Sequence, residues 1–279
     1  MSSVYAIFAL YKNDNTPMAF ETEIKEYESL RKKYQTMVVK KMDEEEYLKY
    51  NEILFSTHSC AIEGNSFSVD DTRELKEKGL GMIPAGKTLF EAFEMLDHFN
   101  AYEYLFAQAN RPLTEELLKE THRILMLHTI AYKHPDAQAG EYTNTDMAAE
   151  DTLFGDHEQL IARVPQLLRS TQSALDADQI HPMIIAGRFH GFYEYLHPFR
   201  DGNGRLGRLF ANYILHLKGH PIVIIPQETK GTYIDALRCI RTEGTDEYLI
   251  DFFFQMAIQR MQREIDEKKR QNLFKPFLF

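Results

Sequence analysis

The chain has 279 residues, 44% hydrophobic and 27% charged, which is the balance of an ordinary globular protein and excludes global disorder. At roughly 150 residues per domain, that length suits one large domain or two unequal ones with a sizeable core. Forty-two acids against 32 bases leave a formal charge of −10, which argues against a wide nucleic-acid footprint but permits a local basic pocket.

In chain order, residues 4–11 form a short apolar run. No basic residue precedes it and no small-residue cleavage pattern follows, so it reads as an ordered extended segment and not as a secretory signal. Residues 42–63 read as a helix with Asp43 as N-cap, an acidic first turn through Glu46, and Gly64-Asn65 as the stop. A short helix over 70–78 ends at Gly79. Thr88 and Glu91 form a capping box ahead of a helix to about residue 109, with Leu89, Phe93, Leu96 and Phe99 spaced by three and four. Thr114 opens a helix to about 128. The periodicity is lost over 131–156, which suits a long loop or a short hairpin. Helix returns over 158–175, with a reset expected at Pro165, a residue suited to a first turn. Pro182 opens a helix with Ile185, Phe189, Phe192 and Leu196 on one face. Residues 197–204 break the pattern and 205–218 resume it. A β-branched run at 222–225 precedes two helices, over 229–241 and 246–270. The fold class expected is all-α with one small hairpin, because strands do not alternate with helices. Two cysteines, Cys60 and Cys239, exclude a disulfide scaffold and a cysteine-based zinc site, and suit a reducing compartment such as the cytoplasm. No apolar run reaches the roughly 18 residues of a membrane helix.

The chemistry concentrates in one stretch: His197-Pro198-Phe199-Arg200-Asp201-Gly202-Asn203-Gly204-Arg205-Leu206-Gly207-Arg208. It is a glycine-rich loop running into a helix N-terminus, where free N–H groups and partial positive charge attract anions. Gly202 and Gly204 let the backbone approach a phosphate, and Asn203 adds amide donors. Arg205 and Arg208, three apart on the new helix, share a face that can grip successive phosphates. Asp201 is a hard oxygen ligand suited to Mg²⁺ bridging phosphate oxygens. His197 can take a proton near neutral pH. Together they describe attack by a hydroxyl on a nucleotide phosphate. A plain helix–helix loop with solvated arginines explains each feature singly but not the set. Phe199, an aromatic in a polar loop, reads as a core anchor.

The pattern His-x-Phe-x-Asp-Gly-Asn-Gly-Arg-x-x-Arg resembles the signature of Fic (Fido) domain proteins, matching at eight specified positions without a gap. The resemblance implies a helical catalytic domain over about 113–260, a preceding helical region over 1–112, and a helix end and tail over 261–279. It also implies transfer of AMP from ATP to a hydroxyl of a target protein, with release of pyrophosphate. By position, His197 would be the base and Asp201 the Mg²⁺ ligand. Gly202, Asn203 and Gly204 would line the anion hole, and Arg205 and Arg208 would take the outer phosphates. Residues 139–156 fall where the family has a flap that pairs with the target segment. Tyr233 falls where a tyrosine often lies near the adenine. Where many members follow that tyrosine with an asparagine, this chain has Ile240 and Arg241.

Glu63 ends its helix at the negative pole of the dipole, which disfavours a carboxylate by ~0.3–1 kcal/mol. Ser59-Cys60-Ala61-Ile62-Glu63-Gly64 resembles the family's autoinhibitory pattern, Ser/Thr-x-x-x-Glu-Gly/Asn, in which the glutamate pairs with the second signature arginine, here Arg208. The expected protein is therefore an adenylyltransferase inhibited by Glu63 in a helix over about 43–64. Ser and Thr or Tyr hydroxyls of a target protein would be the acceptors, with self-modification and a homodimer as further options, and with neither nucleic acid nor membrane as partner. The alternatives are removal of AMP by hydrolysis, a bifunctional enzyme, or a nucleotide-binding regulator without transfer.

Residues 81–88 fit the phosphate-loop pattern G-x-x-x-x-G-K-T, but charged helix precedes them where a buried strand is required, so they read as a connector ending in the Thr88 N-cap. The eleven histidines show no His-x-x-x-His pair with a third ligand. The mixed charges of 263–270 read as an exposed helix end, and Phe252-Phe253-Phe254 as core.

Overall fold

The computed structural model describes residues 20–274, apart from 82, 109–110, 150–151 and 155. The extended segment expected at 4–11 lies outside the described residues. The architecture is helical, as the periodicity predicts. The first helix among the described residues, α1 (Glu21–Met37), carries no strong signal in the sequence. Its polar sequence buries only Tyr27, Leu30 and Tyr34, a three-and-four-spaced stripe too sparse to stand out. Then come α2 (Glu44–Ile62), α3 (Val69–Lys78), α4 (Leu89–Phe106), α5 (Glu115–Leu125) and the single turn α6 (Ile130–Lys133). The caps explain these starts. Asp43 accepts from the N–H groups of Glu45 and Glu46, Ser68 with Asp71 and Thr88 with Glu91 form reciprocal boxes, and Thr114 accepts from Leu117 N–H.

A two-residue hairpin follows, β1 (Ala148–Ala149) antiparallel to β2 (Thr152–Leu153), with Ala148 opposite Leu153. The chain continues through α7 (Leu160–Ala177), α8 (Pro182–Leu196), α9 (Asn203–Leu217), α10 (Lys230–Thr242) and α11 (Glu247–Phe274). Two expectations need correction. Helix α7 runs unbroken through Pro165, which sits past the first turn. The carbonyl that Pro165 deprives of a partner belongs to Ile161, which is 77% exposed, so water can serve it. Helix α9 begins at Asn203, two residues earlier than expected, because Gly202 adopts φ +77° and acts as its N-cap. The β-branched run at 222–225 forms no strand. Its backbone is instead paired by a side chain: Val223 N–H donates to Asn212 Oδ1 at 2.7 Å, and Asn212 Nδ2 donates to Val223 O at 2.9 Å.

Helix α8 is the centre of the molecule. It is buried on every side, not on one face, and packs against α7, α9, α10 and α11. The main core gathers Ile185, Phe189, Phe192 and Leu196 with Leu206, Leu209 and Phe210 of α9 and Phe252–Phe254 of α11. A second, smaller core of Cys60, Phe67, Leu75, Ala92, Met95 and Phe99 joins α2, α3 and α4. Helices α1 and α11, from opposite ends of the described chain, lie together, and Tyr34 Oη donates to Glu264 Oε2 at 2.6 Å. Among the described residues no helix is long and apolar enough to cross a membrane. The C-terminal end of α8, the N-terminal end of α9 and the C-terminal end of α2 meet at one place, and the candidate site lies there.

Candidate active site

The loop between α8 and α9 is held from inside. Phe199 is fully buried and its ring stacks on His122 of α5 at 3.7 Å. His122 Nδ1 accepts from Gly140 N–H at 2.8 Å, so its proton is on Nε2, which donates to the Asp201 carbonyl at 3.0 Å. Burial pushes the His122 pKa down to about 4, which keeps the ring neutral for this bridging role. Thr143 N–H donates to Pro198 O at 2.9 Å, tying the segment before the hairpin to the same loop. Sequence reading missed His122; the missing signal is three-dimensional, since 79 residues separate it from Asp201.

Asn203 does not have the role expected of its amide. Its Oδ1 accepts from Phe199 N–H at 2.9 Å and its Nδ2 donates to Phe199 O at 2.7 Å. The side chain is thus a brace closing the loop on itself, with its oxygen and one of its two amide hydrogens engaged by Phe199. The backbone N–H groups of Asn203, Gly204 and Arg205, in the first turn of α9, remain outside the helical ladder, which begins with Leu206 N–H on Gly202 O. Asn203→Ala would orphan two buried backbone groups. A loss of about 2–4 kcal/mol is expected, read as a lowered urea midpoint, and an unchanged midpoint would show the brace to be dispensable.

His197 is the C-cap of α8 and one of two non-glycine residues with positive φ among those described, at +48°. That left-handed turn swings the imidazole out of the helix. Its Nδ1 lies 3.7 Å from Glu194 Oε2, and its ring stacks on Phe154, just past β2, at 3.8 Å and 18°. Burial, helped by the charge of Arg241, pushes its pKa down to about 4. The imidazole is therefore neutral at pH 7 and free to accept a proton. Burial pushes neighbouring Glu194 up to about 7.

The two signature arginines are buried, not solvated. Arg205 Nη1 lies 3.4 Å from Glu94 Oε1 of α4, and its Nη2 lies 3.4 Å from Asp201 Oδ1. Glu94 also takes Lys133 Nζ at 2.8 Å and Asn65 Nδ2 at 3.3 Å. Glu94 and Lys133 are further members of the site that no local motif marks. Asp201 has its other oxygen 3.5 Å from Lys133 Nζ. Burial raises its carboxyl pKa, but the charges of Arg205 and Lys133 outweigh this and hold it below the usual range. An ionised hard oxygen beside a phosphate-type loop fits Mg²⁺.

Arg208 reaches across to α2. Its Nη2 donates to Glu63 Oε1 at 2.7 Å and to Ser59 O at 2.8 Å, and its Nε donates to Ser59 Oγ at 3.1 Å. Its side chain is 3% exposed, while that of Glu63 is 37% exposed. Burial pushes the Glu63 carboxyl up, but the charges of Arg208 and Arg205 and the Arg208 hydrogen bond bring it below its ordinary value. Gly204 explains how Glu63 comes so close: a Cβ there would collide with Glu63 Oε1 and lie 2.9 Å from Arg208 Nη1. At Gly202 a Cβ would lie 2.7 Å from Met126 Sδ, so both signature glycines make room for side chains. Tyr233, expected near an adenine, is 1% exposed, and its hydroxyl lies 2.6 Å from His190 Nε2 and 3.4 Å from Arg208 Nη1. In this state it supports Arg208 and offers no open ring face.

The connector at 81–88 behaves as expected. Lys87 Nζ donates to Ser66 O and lies 3.6 Å from Asp71. Among the described residues two groups have metal-like spacing, Glu28–His181–His220 and Asp146–Asp156–His157, and neither includes Asp201. In the first, Arg31 already occupies both Glu28 oxygens.

The helical scaffold brings an imidazole, a carboxylate and two arginines together around the start of one helix. Residues 112–215 match the Fic/DOC family, so the chain carries a Fic/DOC domain there. It is 32% identical over 191 residues to protein adenylyltransferase Fic of Drosophila grimshawi, an alignment covering 67% of this chain and 37% of that protein. The chain thus spans little more than a third of that relative's length. The fold is similar to a Fic domain-containing signaling protein from Bacteroides thetaiotaomicron (TM-score 0.75, 23% identity, 88% of this chain and 97% of that one). It is also similar to Fic-1 from C. elegans (TM-score 0.71, 24% identity, 96% and 84%).

Proposed function

We propose that the protein transfers AMP from ATP to a hydroxyl of a protein substrate, and that Glu63 restrains it. The observation that carries this reading is the Glu63 carboxylate, which is seated against Gly204 and bound to Arg208, the arginine the signature assigns to an outer phosphate. The Fic relatives named as protein adenylyltransferases point the same way. The catalytic unit is taken as residues 113–260, with the inhibitory helix in the preceding region.

In the transfer, the acceptor oxygen attacks the α-phosphorus and the bond to the β-phosphate oxygen breaks. The acceptor proton passes to neutral His197, and pyrophosphate leaves. The N–H groups at the start of α9 face the developing phosphate charge. Arg205 and Arg208 hold the outer phosphates once their carboxylate partners give way. Asp201 would hold Mg²⁺, which neutralises phosphate charge when bound. Serine, threonine and tyrosine hydroxyls are all candidate acceptors, on a target protein or on the chain itself. A homodimer is a further option, and the cytoplasm suits the free thiols of Cys60 and Cys239.

The test is intact-mass analysis of candidate targets incubated with Mg²⁺ and ATP. A gain of one AMP supports transfer. Loss of AMP from modified protein makes the enzyme a hydrolase, and nucleotide binding with neither makes it a regulator. In the same assay Lys87→Ala should leave ATP binding intact and Arg205→Ala should weaken it about tenfold or more, measured by calorimetry. The reverse order would move the phosphate site to the 81–88 connector.

A further inference from the structure

Arg241 stands where the Fic resemblance leads one to expect a different residue, and the signature does not include it. It comes from the last turn of α10, yet its contacts lie around the end of α8 that carries His197. Its Nη2 donates to Glu194 O at 2.6 Å, closing one of the carbonyls that the end of α8 leaves open, just before the left-handed His197. Its guanidinium lies 4.2 Å from the centre of the Phe154 ring, and the His197 imidazole stacks on the same ring at 3.8 Å. Tyr195 lies 5.9 Å from the same guanidinium.

We infer that Arg241 is a positioning residue for the transfer step: it presses Phe154 against His197 and caps the helix end from which His197 projects. The inference rests on the proposed role of His197 as base. The physical logic has two parts. A positive-φ, non-glycine residue is strained and persists only where its surroundings hold it. Here the His197 N–H bond to Tyr193 O, the cap on Glu194 O and the Phe154 stack supply that hold. A cation beside the ring also disfavours protonation, so Arg241 keeps the imidazole in its proton-accepting form. The charges acting on His197 come from every side. Glu63 at the end of α2 and Asp201 of the loop favour the protonated ring by charge and Glu194 of α8 does so through its backbone carbonyl, while burial and Arg241 of α10 oppose them.

Two readouts test this in the full chain. First, the His197 imidazole is titrated by NMR in the unmodified protein, Arg241→Lys and Arg241→Ala. Removing the cation in Arg241→Ala should raise the midpoint, and Arg241→Lys should keep it close to the parent value. An Arg241→Ala midpoint equal to the parent's overturns the inference, whatever the activity. Second, labelling is measured in a Glu63→Gly background. Arg241→Ala should slow it roughly tenfold, Phe154→Ala should do the same, and the pair should cost little more than either alone. Fully additive losses would mean that the two residues do not act through one contact. If Glu63→Gly itself labels nothing, the adenylyltransferase reading fails while the titration still decides the role of Arg241. Should Arg241→Ala fail to fold, Arg241→Gln supplies the uncharged comparison.

Discussion

Replacing Glu63 with glycine is expected to raise labelling by α-³²P-ATP roughly ten- to a hundredfold. A triphosphate competing for Arg208 must first break the 2.7 Å bond to Glu63 Oε1. A hydrogen bond between charged groups contributes ~1.5–3 kcal/mol, and each 1.4 kcal/mol is a factor of ten. The arginine is not left stranded by the change, because Ser59 still engages both its Nε and Nη2, so Arg208 stays poised for phosphate. Glu63→Gln separates charge from bulk. It should release part of the inhibition, since the amide can still accept from the guanidinium but lacks the ionic attraction. Labelling of self and target that is the same in all three proteins would refute inhibition by Glu63. Gly204→Ala is a complementary probe: its methyl group would occupy the space of the carboxylate and should push the Glu63–Arg208 pair apart while leaving both of those residues in the sequence.

Substituting alanine for His197 should lower transfer by about 10²–10⁴-fold, the usual contribution of a positioned base, while ATP binding measured by calorimetry changes little. The pH profile carries the same information in the unmodified ring. With its pKa pushed down to about 4, His197 is protonated only in acid, so the neutral, accepting form is present above about pH 5. Labelling in a Glu63→Gly background should therefore stay flat through neutrality and fall only as the pH approaches 4. An acid limb centred near pH 7 would point to Glu194, whose carboxyl titrates at about 7, and Glu194→Gln should then abolish that limb. A limb near 7 that survives the change would mean that His197 is not held in a desolvated, proton-accepting state.

Much of the fold was legible because its signals are local. The caps at Asp43, Thr88 and Thr114 act within three residues, so the helix starts follow from neighbours along the chain. Helix α1 was missed because its stability comes from packing on α11, which has no trace in its own polar sequence. The break at Pro165 was over-read: a proline past the first turn costs one backbone bond, and the buried Val164, Leu167 and Leu168 beside it hold the helix together. The signature loop was readable as a unit, but Asn203 shows the limit of reading roles from residue type. An amide that suits an anion hole on paper spends both its groups on the Phe199 backbone.

By itself the sequence determined the helical class, the twelve-residue signature segment from His197 to Arg208, and the likeness of residues 59–64 to an inhibitory motif. Tertiary structure decided which charges meet. It set Glu63 on Arg208 across 145 residues, Glu94 on Arg205 across 111, and Phe154 between the imidazole of His197 and the guanidinium of Arg241. The division follows from the range of the forces. Capping and periodicity act over a single turn of helix, whereas the protonation of a buried base and the partner of a buried arginine depend on every element packed around them.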